Sequence, residues 1–142
     1  MNKKLKGYTQ DSLRARIAGA DPYQLIQMLM AGAMENLNYA KGAIERKDLE
    51  KKSVHISKSA AIIESLRTSL NLEVGGEVAD NLNQLYLYMG ETLTDATRTN
   101  DVAKLEEVRS LLAQIKSSWD AITPSDRDSA MSQLGGSAAV GA

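Results

Sequence analysis

Apolar residues recur at steps of three and four along four separate stretches of this chain, and no stretch alternates as a strand would. The first is Ile26, Leu29, Ala33, Leu37, Ala40 and Ile44. The second is Ile56, Ala60, Ile63, Leu66 and Leu70. The third is Val78, Leu82, Leu85, Met89, Leu93 and Ala96, and the fourth is Leu105, Val108, Leu112, Ile115, Trp119 and Ile122. Such steps hold each set on one helix face. A lone amphipathic helix cannot bury its stripe. Four of similar length, joined by short loops, bury theirs against each other, so the expected fold is all-α, an antiparallel four-helix bundle.

The breaks carry their own chemistry. Asp21 before Pro22 is a strong helix start: the carboxylate accepts from free N–H groups, and proline at the first helical position loses no bond. The first helix is expected over 22–46. Lys47 and Asp48 break it, and Asp48 caps a second helix over about 49–70. Gly75 and Gly76 open a third, about 77–99. Asn100 and Asp101 cap a fourth that runs to about 122, where Thr123 and Pro124 stop it. This divides the chain into an N-terminal arm or short helix over 1–20, a bundle over 21–123, and a flexible Ser/Ala/Gly-rich tail over 124–142. One helical turn is expected near 130–134.

Composition narrows the function. Apolar residues make up 43% of the chain, enough for a real core. Seventeen basic and eighteen acidic residues leave a formal charge of -1, against a dedicated nucleic-acid binder. The absence of cysteine removes disulfides, thiolate metal sites and cysteine nucleophiles, and fits a reducing compartment. The basic start, Met1 to Lys6, has no apolar region after it, so no cleaved secretory signal is expected. The longest apolar run, 28–34, is far too short to span a membrane. A soluble cytoplasmic protein without membrane insertion is the expectation.

Catalytic chemistry finds little footing. With one histidine, His55, no transition-metal site is expected, and no Asp/Glu run has calcium-loop spacing. No glycine-rich phosphate loop or nucleophile elbow is present. His55 has one sharper reading. His55, Ile56, Ser57, Lys58, Ser59 and Ala60 loosely resemble the helix motif of histidine phosphotransfer domains, which are also four-helix bundles. There a lysine three positions on shares the histidine's face. That family carries glycine after the lysine, where this chain has Ser59. A solvated histidine in the first turns of the second helix is the plainer reading.

Binding surfaces are better supported. Met28, Met30 and Met34 on the first helix and Met89 on the third are either core filling or an adaptable groove lining. The third helix is apolar over a wide arc that includes Leu82, Leu85, Tyr86, Leu87 and Met89. The second is broad as well, at Ile62, Ile63 and Leu66. A stripe wider than a core requires implies a second apolar surface, of the kind that receives an amphipathic partner helix. Ile62, Leu66, Leu82, Tyr86 and Met89 are its expected partner-binding residues, with Leu85 in the core stripe and Tyr86 at its flank.

The order of these pieces resembles the FliS family, cytoplasmic export chaperones of flagellin, from about residue 5 to 122. The apolar residue and tyrosine three positions apart are Leu5 and Tyr8. The helix start reads Ala20, Asp21, Pro22, Tyr23, Gln24, Leu25, Ile26, Gln27, Met28, Leu29, then Met30, Ala31, Gly32, Ala33 before Leu37. Leu66, Arg67, Leu70, Asn71, Gly75 and Gly76 fit the next loop. Asn81, Leu82, Leu85, Tyr86, Tyr88 and Met89 fit the third helix, and Trp119 the end of the fourth. Asp21 replaces the family's common serine. Ala31 replaces an aspartate of many members, so any role of that acid is absent.

The resemblance implies a monomer that binds the C-terminal segment of flagellin one to one, prevents premature polymerisation and passes the client to the flagellar export gate, with no enzyme activity or cofactor. Leu5 and Tyr8, on an arm too polar for its own core, are expected to lie over the empty groove and to move when the client enters.

Overall fold

The computed structural model describes residues 21–135, and there is no strand among them. Four long helices, α1 (Pro22–Glu45), α2 (Leu49–Thr68), α3 (Gly76–Thr99) and α4 (Val102–Asp120), start and stop within two residues of the expected places. α1 packs against α2 and α4, and α3 packs against the same two, so α1 and α3 occupy opposite corners of the antiparallel bundle.

The caps form as the side chains dictate. Asp21 accepts from the Gln24 N–H at 2.7 Å, Asp48 from Lys51 at 3.1 Å and Asp101 from Ala103 at 3.0 Å. After α1 the chain turns through Lys47 in the left-handed region (φ 61), and the Asp48 N–H returns to the Ala43 carbonyl at 2.8 Å. This closes the helix end in the manner of a Schellman turn. The end of α3 is closed from outside. Asn100 takes the left-handed conformation there (φ 56), and buried Lys52 of α2 donates to the Thr97 carbonyl at 2.9 Å and to Asn100 Oδ1 at 2.6 Å. A cation on carbonyls at a helix C-terminus is favourably placed.

The core runs along the bundle axis through Ile26, Met30, Leu37, Ile63, Met89, Leu93, Leu105 and Leu112. Fully buried Ala33 lets α1 and α2 approach closely, and Ser59 donates across that seam to the Ala33 carbonyl at 2.8 Å. Of the methionines, Met30 and Met89 fill the core, while Met28 and Met34 are half-buried.

Helical structure continues past the expected tail boundary. Pro124 does stop α4 from extending, but it also opens a 3-10 turn (Pro124–Asp126) that leads into α5 (Arg127–Ala130) and a π-helical turn (Met131–Gly135). Ala130, Met131 and Leu134 pack against the core edge, so residues 130–134 belong to the packed body. Short apolar spacing in a Ser/Gly-rich segment is enough when a surface is there to receive it. The arm over 1–20, with Leu5 and Tyr8, and the tail beyond 135 lie outside the described residues.

Candidate interaction surface

An apolar strip lies along α3 and α4, which pack least extensively of the neighbouring pairs. Two polar contacts fix their register. The Tyr88 hydroxyl donates to Glu107 Oε2 at 2.6 Å, and Lys104 pairs with Asp95 at 3.9 Å. The helices are antiparallel, so one turn from the Tyr88–Glu107 contact places Leu85 beside Leu111. The next turn places Leu82 beside Ile115, and a further turn on α3 reaches Val78, level with the last turn of α4. Leu82, Leu85, Leu111, Ile115 and Ile122 are half-buried, forming a layer outside the core, and Val78 is 56% exposed. At the foot of the strip, Asn71 Oδ1 accepts from the Glu73 and Val74 N–H groups, a turn that leaves Leu72 and Val74 on the surface.

The expected partner-binding residues divide around this strip. Leu82 lies in it. Leu66, Tyr86 and Met89 are buried in the core beneath, at 3%, 4% and 0% exposure. Burial pushes the Tyr86 phenol up to about 12. Tyr86 and Leu85 thus exchange the places expected of them: Tyr86 points to the axis and Leu85 to the flank. Adjacent positions on a helix differ by about 100°, and a broad stripe does not say which one faces the axis; the two neighbouring helices decide that. Ile62 is half-buried on a different seam, its Cδ1 3.7 Å from where a Cβ on Gly32 of α1 would sit. It is therefore not brought together with Leu82. Leu111 went unrecognised, and the signal for it was the adjacent pair Leu111 and Leu112, which widens the fourth stripe.

His55 sits in a closed local network. Its Nδ1 lies 2.9 Å from Asn36 Oδ1, and the Asn36 amide donates to the Gly32 carbonyl, so Nδ1 is assigned as the donor to Asn36. The Tyr39 ring is 5.1 Å away. Partial burial, then Lys58, Lys51 and Arg46, hold the imidazole below its ordinary pKa and favour the neutral ring. Among the described residues, no three acidic or histidine side chains converge as metal ligands, and no helix is long and apolar enough to cross a membrane.

The family described as Flagellar protein FliS matches residues 4–126. The flagellar secretion chaperone FliSB of Pseudomonas aeruginosa is 45% identical over 121 residues, 85% of this chain and 96% of that protein. The flagellar secretion chaperone FliS of Vibrio cholerae is 36% identical over 135 residues, 95% of this chain and 99% of that protein. The Salmonella typhimurium FliS is 40% identical over 121 residues, 84% and 90% of the respective chains. Because the match spans all four long helices and relatives at 36% and 45% identity cover most of the chain, the chain belongs to the FliS family of flagellar secretion chaperones.

Proposed function

We propose that this protein is a cytoplasmic export chaperone that binds the disordered C-terminal segment of flagellin one to one, prevents its premature polymerisation and delivers it to the flagellar export gate. The observation that supports this reading is the half-buried strip of Leu82, Leu85, Leu111 and Ile115 on a member of the FliS family. An amphipathic segment presents apolar residues at helical spacing, and side chains one turn apart on α3 and α4 match it. Leu66, Tyr86 and Met89 make the floor on which the strip rests, and Ile62 offers a separate contact on the α1–α2 seam.

The magnitudes are compatible with binding and release. Each well-buried Leu or Ile contributes roughly 1.5–3 kcal/mol gross, while ordering the client costs about 2–5 kcal/mol or more. Several anchors therefore hold the client without trapping it. Neither step makes or breaks a covalent bond, so a non-enzymatic chaperone needs nothing from His55. Leu5 and Tyr8 cover the strip until the client arrives.

Calorimetric titration with flagellin, and with flagellin lacking its C-terminal segment, tests the reading. Only the intact client is expected to bind, with a stoichiometry of one. Undiminished binding of the shortened client overturns it. Removing residues 1–18 is expected to leave the bundle helical, raise apolar-dye binding and speed client association; no change in dye binding or kinetics removes the arm from the mechanism.

A further inference from the structure

The foot of the bundle, where α1 and α3 begin and α2 and α4 end, is filled by the chain's own C-terminal segment. The π-helical turn, Met131–Gly135, folds beneath it and touches both α1 and α3, while Arg127 reaches α1 at Tyr23. Ala130, Met131 and Leu134 lie half-buried on the core edge. The polar anchors are slight. The Asn71 N–H donates to the Gln133 carbonyl at 3.2 Å, and Gly75 permits that approach, since a Cβ there would stand 2.7 Å from the same oxygen. The Arg127 guanidinium lies 4.2 Å above the Tyr23 ring, but its Nε is buried with no hydrogen-bond partner among the described residues. Such an orphan donor weakens the seat. The segment also runs through a π-helical turn, a geometry rarely stable by itself and frequent where function requires an irregular helix.

This segment is short, loosely tethered and amphipathic. It sits at the foot of the strip on its α3 side, where the Gln133 carbonyl accepts from the Asn71 N–H and faces Gly75, one turn before the exposed Val78. Resting on the flagellin reading, we infer that residues 127–134 occupy in cis the seat that one end of the client's amphipathic segment takes, and that client binding lifts them off. In the free protein the occupant keeps an apolar foot from exposure. In the complex it lowers apparent client affinity by the fraction of time the seat is closed. Trp119, the only tryptophan, reports on the exchange, because it stacks at 5.2 Å on the Tyr23 ring that Arg127 covers.

The test uses the full chain and its Met131→Asp/Leu134→Asp variant, with a fluorescein-labelled peptide of residues 124–142 as probe. The peptide is expected to bind the variant and not the unaltered chain, and the flagellin C-terminal segment is expected to displace it. The same segment should associate with the variant about threefold faster or more, with altered Trp119 emission. If the peptide fails to bind the folded variant, the seat does not exist. If flagellin binds both chains equally fast and leaves the peptide in place, the exchange is wrong while the flagellin reading stands. If flagellin binds neither chain, that reading fails and this client assignment fails with it, although peptide binding still reports the seat. Should the double variant not fold, Leu134→Ala, which removes apolar contact at the core edge without adding a charge, serves instead; faster flagellin association supports the exchange, and an unchanged rate overturns it.

Discussion

Tyr23 and Trp119 exchange side-chain-to-backbone hydrogen bonds: the Tyr23 hydroxyl donates to the Trp119 carbonyl at 2.6 Å, and the Trp119 indole donates to the Tyr23 carbonyl at 3.2 Å. Their rings stack with a 17° interplanar angle. The start of α1 is thereby fastened to the end of α4. Tyr23→Phe keeps the stack and loses one bond to a carbonyl that also accepts from the Ile122 N–H, so a loss of about 1 kcal/mol is expected in urea unfolding. Trp119→Phe loses both the indole bond and ring volume, and should cost roughly 2 kcal/mol or more.

Tyr86→Ala and Val78→Asp should separate core from surface. Tyr86 is 4% exposed, and its truncation is expected to cost about 3–5 kcal/mol of stability through the cavity it leaves. Val78 is 56% exposed, so Val78→Asp should alter stability by only about 0.5 kcal/mol, yet weaken flagellin binding by about 1 kcal/mol or more. Thermal unfolding and client titration of the same two samples decide it. Equal affinity for Val78→Asp and the unaltered chain would remove Val78 from the interface.

His55 makes the fold sensitive to mild acid. Burial and its basic neighbours place its folded pKa below the ordinary 6.5, so the unfolded chain takes up a proton first. This contribution to stability is full above pH 6.5 and is lost as pH falls through the folded value. Glu64, Glu106 and Asp120, whose pKa values are lowered chiefly by hydrogen bonds from Arg67, Arg109 and Lys116, act only below their ordinary values of 4.5 or 3.8. His55→Gln should therefore flatten the stability profile just below pH 6.5, while flagellin binding and motility stay intact. A labelled phosphodonor should leave the unaltered protein unlabelled.

The two adjacent glycines should respond for different reasons. A Cβ at Gly75 would meet the Ala79 Cβ at 2.5 Å, the Gln133 carbonyl at 2.7 Å and the Asn71 carbonyl at 2.8 Å. Gly75→Ala is expected to destabilise by about 1–3 kcal/mol through overpacking. Gly76 has open space around it but a φ of +57°. Gly76→Ala should cost about 1–2 kcal/mol for the left-handed backbone alone, and Gly76→Asn less, because asparagine tolerates that region. Equal losses for Ala and Asn at 76 would show that the backbone angle is not the cause.

The local plan was legible from residues close together in the chain. The 3.6-residue period of the four stripes, the caps at Asp21, Asp48 and Asp101, and the Gly75–Gly76 turn all depend on neighbours within a turn or two. Short loops between helices of similar length then leave few ways to bury four stripes, so the antiparallel bundle followed. The family was legible too, because its residues recur in order along the chain.

What lay beyond the sequence was rotation and reach. Whether Tyr86 or Leu85 faces the axis depends on where α2 and α4 sit against α3, and a stripe broad enough to include both carries no such information. That Leu82 shares a strip with Leu111 and Ile115, while Ile62 looks towards α1, follows from the register of separate helices. That register is held by contacts such as Tyr88 with Glu107 across 19 residues of chain. The same holds for Lys52 at the end of α3 and for residues 127–134 beneath the foot of the bundle. Periodicity sets which residues can be buried by a helix; only the packed neighbours set which of them are, and what the remainder is left to bind.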